Sequence, residues 1–174
     1  MKSDSKARYG TISRLFHWVI ALLVLWQAMK IFDRINDGEH WVGQVLVPWH
    51  ISIGVLILLL MVLRIVWALR NRGNRPSAPP ALLGFLAKAG HLTMYVLLVL
   101  LPVTGISFMI GEGYGLTVFG MELLARGKEI PWLAAIGALH SPIALLLLAT
   151  VAGHILMGFW HHFVRKDGLL RRML

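Results

Sequence analysis

Long apolar stretches separated by short polar ones dominate the chain. Four stretches contain no Asp, Glu, Lys or Arg, and they cover residues 15–29, 41–63, 89–111 and 131–164. A membrane-spanning helix needs about 20 mostly apolar residues, which the last three stretches provide directly. The first gains length from Ile31 and Phe32, because the charged ends of Arg14 and Lys30 can extend towards water. The pattern predicts four transmembrane helices over about 11–32, 45–69, 85–110 and 131–164.

The charges between these stretches are distributed unequally across the predicted membrane. Thirteen of the 17 Lys and Arg residues, but only two of the eight Asp and Glu residues, fall on the side of the two termini. The formal charge is therefore +11 on that side and −2 on the other. Because positively charged loops stay in the cytoplasm, we expect both termini to be cytoplasmic. We predict a single all-α integral membrane domain, a four-helix bundle, over residues 1–174.

Composition supports this class and excludes several others. Of the 174 residues, 57% are hydrophobic and only 14% are charged, which is too apolar for a disordered chain. The net charge of +9 follows from the membrane topology, so we predict membrane lipid and no nucleic acid as a partner. The chain has no cysteine, which excludes disulfides, iron–sulfur clusters and covalently attached haem.

Histidines inside the predicted spans are the main chemical signal. Five of the eight histidines lie there, namely His17, His50, His91, His140 and His154. Ionisable side chains in hydrocarbon are rare and costly. One such histidine is more often neutral and hydrogen-bonded between helices, but five in one bundle favour a function.

The positions of these histidines along the helices predict two tiers. His140 and His154 are fourteen residues apart, so they project from nearly the same helix face, about 21 Å apart along the axis. His50 and His140 lie at a similar depth, about 12–14 Å from the outer boundary, and His17 shares the inner half with His154. Imidazoles on facing helices can supply both axial ligands of a haem iron. Without cysteine, such a haem would be of b type.

Other residues are candidates for the surroundings of such a cofactor. Arg14, three residues before His17, is a candidate partner of a haem propionate. Arg64 is either a second propionate partner or the inner end of its helix extending to water. His91 is a candidate for a further axial ligand, a hydrogen-bond partner of a haem or quinone, or a structural residue, and we rank it behind His17.

The inner end of the fourth helix carries His161 and His162, followed by Lys166. One interpretation is a solvated basic end at the membrane interface. The other is a quinone site, because quinone reduction consumes protons and histidine can deliver them near neutral pH.

Six segments, in order along nearly the whole chain, carry a family resemblance. They are Arg14-Leu-Phe-His17-Trp18, Trp49-His50-Ile-Ser-Ile-Gly54, Gly90-His91-Leu-Thr-Met-Tyr95, Leu101-Pro102-Val-Thr-Gly105, Leu139-His140, and the closing run from Gly153-His154 through His161-His162 to Arg165-Lys166-Asp167. In these segments the sequence resembles the bacterial cytochrome b561 family, which is similar to the cytochrome b subunits of nickel–iron hydrogenases and formate dehydrogenases.

The resemblance implies a multi-pass protein of the bacterial inner membrane with two b haems. It pairs His17 with His154 at the inner haem and His50 with His140 at the outer haem. It leaves His91 as a non-ligand.

The resemblance also implies electron transfer between a periplasmic donor and a membrane quinone. The family includes a superoxide oxidase that passes electrons from superoxide to ubiquinone, and an oxidoreductase of this kind is the first expectation. A local positive patch for that anion could come from Lys30, Arg34, Arg126 and Lys128. Other members resemble non-enzymatic haem anchors that conduct electrons for a separate partner protein. In that alternative, the outer connection over residues 111–130 is the docking surface.

Overall fold

The computed structural model describes residues 4–33, 41–76 and 81–174. The α-helices are α1 (Thr11–Ala28), α2 (Lys30–Asp33), α3 (Trp41–Val45), α4 (His50–Arg70), α5 (Ala81–Gly111), α6 (Pro131–Gly137) and α7 (His140–Phe159). Short 3-10 turns cover Val47–Trp49, Arg72–Asn74 and Leu170–Arg172, and a π-helical turn covers Trp160–Arg165. Two antiparallel strands, β1 (Leu116–Val118) and β2 (Met121–Leu124), form a hairpin.

Within the described ranges, four helical stretches are long and apolar enough to cross a membrane. We number them spans 1 to 4, and they are Thr11–Ala28, Trp41–Arg70, Gly84–Gly111 and Pro131–Arg165. The predicted four-helix membrane architecture is therefore confirmed. Span 1 is shorter than the predicted 11–32, because the chain leaves the α-helix at Met29 before the short α2 begins.

Spans 2 and 4 are each interrupted near their outer ends. In span 2 a 3-10 turn that contains Pro48 separates α3 from α4, since proline has no amide hydrogen to continue the helical pattern. In span 4 the chain leaves the helix after Gly137 and resumes it at His140. The structure thus differs from one continuous helix from residue 131. Both breaks place a histidine, His50 or His140, at the first residue of the long helix that follows.

The backbones of α5 and α6 approach each other closely at two glycines. A Cβ atom at Gly137 would overlap the Cα of Phe108, and one at Gly111 would overlap the amide nitrogen of Ala134. Only glycine permits such approaches, which are typical of interfaces between membrane helices. This contact holds the outer end of span 4 against span 3.

A small apolar core joins α1 and α4. Ile20 of α1 is buried against Ile53, Ile57 and Met61 of α4, and Tyr95 of α5 packs on the same cluster. Many other large apolar side chains are exposed on the bundle surface. In a bilayer these side chains contact lipid tails.

The outer connection contains a hairpin in place of the loop expected over residues 111–130. At its tip, Phe119 and Gly120 both have positive φ angles, 49° and 80°. The amide of Phe119 donates a hydrogen bond of 2.9 Å to the hydroxyl of Ser52, and its ring lies 6.3 Å from that of Trp49. The hairpin therefore packs on the outer end of α4.

A buried carboxylate ties the N-terminal segment to the inner end of the bundle, the end that carries both termini. Asp4 accepts hydrogen bonds of 2.8 Å from the amide of Gly10 and from the hydroxyl of Ser13. It also accepts one of 3.3 Å from Nε of Arg75, in the connection between α4 and α5.

The C-terminus reaches the same inner end through two main-chain carbonyl groups. The carbonyl of Arg172 accepts a hydrogen bond from the amide of Tyr9, and that of Met173 accepts one from the indole of Trp18. Three separated parts of the chain therefore close the inner end together.

We predict that Asp4→Ala lowers the free energy of unfolding by about 2 kcal/mol, because three donors lose a buried acceptor. For a chain of this size, that change lowers the melting temperature by about 4–8 °C. Thermal unfolding in detergent, followed by circular dichroism, measures it. Glu122→Ala, at an exposed carboxylate of β2, is the control and is expected to change stability by less than about 0.5 kcal/mol. Equal melting temperatures for the two variants would contradict the assigned role of Asp4.

Candidate functional site

Two histidines from different spans face each other near the outer end of the bundle. The ring centroids of His50 and His140 are 6.0 Å apart, and the ring planes are inclined by 83°. Nδ1 of His140 lies 2.9 Å from the carbonyl oxygen of Leu101, which fixes the ring and leaves Nε2 free to bind a ligand. Nδ1 of His50 is buried and has no hydrogen-bond partner in the described part of the chain. We call this pair the outer tier.

Neighbouring residues fix the positions of these two rings. Gln27 of α1 donates a hydrogen bond of 2.8 Å to the carbonyl of His50, which holds the first turn of α4. A Cβ atom at Gly105 of α5 would lie 2.9 Å from Cε1 of His140. The absence of a side chain at this position therefore makes room for the His140 ring.

Three histidines from three helices meet nearer the inner end, and we call this group the inner tier. The ring of His154 on α7 lies 6.2 Å from that of His17 on α1, with the planes inclined by 80°. It also lies 5.4 Å from the ring of His91 on α5. The structure thus places His91 beside the other two rings.

The two arginines singled out by the sequence lie on α1 and α4. Nε of Arg14, three residues before His17, is buried without a hydrogen-bond partner among the described residues. Arg64 is partly buried, and its Nε donates a hydrogen bond of 2.9 Å to the hydroxyl of Tyr95, which lies one helical turn after His91 on α5. Arg64 is therefore held near the inner tier.

Helix α7 connects the two tiers. It carries His140 at its first residue and His154 fourteen residues later, with no break between them. The rise of an α-helix separates the two positions by about 21 Å along the axis. Each tier joins α7 to a different helix, α4 at the outer tier and α1 at the inner tier.

The residues after α7 form a separate group. Nδ1 of His161 lies 2.6 Å from a carboxylate oxygen of Asp167, a partner that the sequence analysis did not identify. His162 packs edge-on against Phe163, and Lys166 adopts a left-handed conformation with φ of 52°. The π-helical turn that carries both histidines is a rare element found mostly at functional sites.

The contact between His161 and Asp167 persists at neutral pH. The hydrogen bond from His161 holds the pKa of the exposed Asp167 carboxyl below its ordinary value of 3.8. A carboxyl with a lowered pKa stabilises the fold above its ordinary pKa, and this effect is lost as the pH falls through the lowered value. The hydrogen bond with the Asp167 carboxylate therefore holds the turn after α7 in place throughout the physiological pH range.

The facing imidazoles have the spacing that two axial ligands of one metal require. A metal–imidazole bond is about 2 Å long and the ring centre lies about 1 Å beyond the bonded nitrogen, so two axial rings have centres about 6 Å apart. The separations of 6.0 Å for His50 and His140 and 6.2 Å for His17 and His154 fit this value. The 5.4 Å between His91 and His154 is shorter. The unpaired nitrogen of His50 also fits a site whose partner is a bound group.

Comparison with known proteins identifies the family. The sequence profile of the prokaryotic cytochrome b561 family matches residues 8–174. The chain belongs to this family. Cytochrome b561 proteins are helical membrane proteins that bind haem b and transfer electrons. This chain is therefore a multi-pass bacterial membrane protein of electron transfer.

Individual relatives match over almost their whole length. Cytochrome b561 homolog 2 of Escherichia coli strain K12 is 31% identical over 186 residues, which cover 99% of this chain and 94% of the relative. A protein of Yersinia pestis named probable superoxide oxidase CybB is 28% identical, with 96% of each chain covered. Cytochrome b561 homolog 1 of Escherichia coli strain K12 is 25% identical, covering 96% of this chain and 97% of the relative.

We predict that Gly105→Ala displaces the ring of His140 and lowers the haem b content of the purified cytochrome b561 protein. The added methyl group meets the ring at 2.9 Å, and overpacking of this kind costs about 1–3 kcal/mol. Haem content per chain and the α-band of the reduced protein measure the effect. Gly73→Ala makes the same chemical change where a Cβ atom meets nothing within 4 Å. Equal haem content in both variants would show that the His140 ring tolerates the methyl group.

Proposed function

We propose that this cytochrome b561 protein carries two b haems, one in each tier. His50 and His140 are the axial ligands at the outer tier, and His17 and His154 are those at the inner tier. The observation that carries the proposal is the presence of two facing imidazole pairs, 6.0 Å and 6.2 Å apart, in one bundle. Haem with two imidazole ligands has no open position on iron, so it supplies one-electron transfer.

His91 is proposed as a neighbour of the inner haem that does not bind iron. Its ring is too close to that of His154 for an axial pair. We therefore assign His91 a packing role beside His154.

Arg14 is proposed as a propionate partner at the inner haem. Its buried Nε lacks a partner among the described residues, and a guanidinium group binds carboxylates with two parallel hydrogen bonds. Arg64 is the second candidate for this role.

The proposed path of electrons runs from a periplasmic donor to a quinone at the cytoplasmic side of the bacterial inner membrane. His161, His162 and Lys166 are proposed to form the quinone site, with the histidines delivering protons. The exposed apolar side chains before and within this turn can contact an isoprenoid tail, and they include Leu156, Met157, Phe159, Trp160 and Phe163.

The proposed reaction is that of a superoxide:ubiquinone oxidoreductase. Two superoxide anions each give up one electron and become dioxygen, while one quinone takes up the two electrons and two protons and becomes a quinol. The 28% identical relative named probable superoxide oxidase supports this choice. Arg126 and Lys128 are exposed on the outer side and can attract the anion. Arg34, the remaining arginine of the expected patch, lies outside the described residues.

An electron conduit for a separate redox protein is the second candidate function. The exposed apolar side chains of the hairpin, among them Phe119, Met121 and Leu123, favour this alternative because such residues are enriched at protein interfaces. In that case the hairpin receives the partner.

Haem content tests the two-haem proposal. We predict two haems per chain for the unaltered protein and one for each of His50→Ala, His140→Ala, His17→Ala and His154→Ala, because a lone imidazole holds the iron poorly. His91→Ala is the matched control and should retain both haems. A single haem in the unaltered protein, or loss of one in His91→Ala, contradicts the assignment.

Turnover separates the two functions. We predict that the purified protein in liposomes reduces ubiquinone when superoxide is supplied, at a rate well above the uncatalysed one. His140→Ala, which interrupts the outer tier, should return the rate to the uncatalysed level. A two-haem protein that is inert with superoxide, and becomes active only with a partner protein, would favour the conduit.

A further inference from the structure

Arg64 is a cation inside span 2 that no carboxylate neutralises in the described part of the chain. It lies six residues before the end of α4, within a helical stretch apolar enough to cross a membrane. Its partner is Tyr95 of α5, whose hydroxyl accepts a hydrogen bond of 2.9 Å from Nε. The guanidinium carbon also lies 5.2 Å from the centre of the Tyr95 ring. A charge held in this way within a membrane usually has a function.

The charge of Arg64 acts unequally on the two tiers. Tyr95, which holds Arg64, lies one helical turn after His91 on α5, and the His91 ring lies 5.4 Å from that of His154. Arg64 lies fourteen residues after His50 on α4, a separation of about 21 Å along the helix axis. Its charge therefore acts mainly on the inner tier.

A fixed positive charge favours the reduced state of a nearby redox centre. Addition of one electron lowers the charge of the centre by one unit. A nearby cation therefore stabilises the reduced state relative to the oxidised state. This interaction is stronger in a medium of low dielectric constant than in water. An arginine side chain stays protonated at all physiological pH values, and the contacts with Tyr95 keep its charge near the tier.

We propose that Arg64, positioned by Tyr95, makes the inner tier more oxidising than the outer tier. With haem bound in both tiers, electron transfer from the outer to the inner tier would then be energetically favourable. This proposal rests on the two-haem assignment above. It adds the residue that sets the direction of transfer, with Tyr95 as the positioning residue.

A redox titration of the purified protein, with each tier resolved, tests the role of Arg64. We expect Arg64→Gln to lower the midpoint potential of the inner tier by at least about 59 mV, which is a tenfold change in the equilibrium constant of a one-electron couple. The outer midpoint should stay unchanged. A His140→Ala background, which retains only the inner haem, assigns the signals.

Three further variants separate charge from structure. Arg64→Lys retains the charge and should keep most of the inner potential. Tyr95→Phe frees the guanidinium to move towards water, so a smaller decrease is expected. Arg70→Gln removes an exposed charge in the last turn of the same helix and should leave both potentials unchanged.

An unchanged inner midpoint in Arg64→Gln, or an equal shift in Arg70→Gln, overturns the proposal. If Arg64→Gln does not retain the inner haem, Tyr95→Phe provides the test. An unchanged inner midpoint potential in Tyr95→Phe then overturns the proposal. These outcomes leave the two-haem assignment intact. That assignment fails separately, when the unaltered protein holds one haem.

Discussion

Imidazole and guanidinium groups inside hydrocarbon carry a desolvation cost, and the arrangement of this bundle follows from the ways in which that cost is offset. The Leu101 carbonyl accepts a hydrogen bond from His140, and the Tyr95 hydroxyl accepts one from Arg64. Nδ1 of His50 and Nε of Arg14 have no such partner among the described residues. Both atoms are therefore candidates to contact a bound group.

Helix α7 sets the geometry of both tiers. Because His140 and His154 lie on one unbroken helix, their separation is independent of loop conformation. The outer ends of spans 2 and 4 are broken, so that α4 and α7 each begin at a histidine. The close glycine contact of Gly137 with Phe108 then fixes where α7 begins relative to α5. The unbroken helix α7 and the close contact at Gly137 therefore fix the positions of His140 and His154 along the bundle.

Much of this architecture could be predicted because hydropathy and helical periodicity are local properties. The four spans follow from the length of apolar stretches, and a rise of about 1.5 Å per residue places His50 and His140 at a similar depth. The pairing of His17 with His154 is what the family resemblance implies. The break before His50 follows from Pro48, a local signal, but the break before His140 could not be predicted in this way. The break in span 4 depends on which backbone approaches Gly137, a tertiary contact that periodicity does not encode.

Other features depend on pairs of residues far apart in the sequence. The hairpin tip needs Phe119 in a left-handed conformation that Ser52, 67 residues earlier, helps to hold. The approach of His91 to His154 and of Arg64 to Tyr95 depends on the rotation of each helix about its own axis. Hydropathy determines that rotation poorly when a helix is apolar on most faces, as α5 is. The role of Asp4 also needs the position of Arg75, which lies 71 residues away.

The order of synthesis gives α7 a further significance. It is synthesised after spans 1 to 3, and it supplies one histidine to each tier. The carbonyl groups that close the inner end, at Arg172 and Met173, are made later still. Neither pair of imidazoles can form during translation of spans 1 to 3, so those spans enter the bilayer before any histidine pair exists. A chain truncated before α7 therefore lacks both histidine pairs.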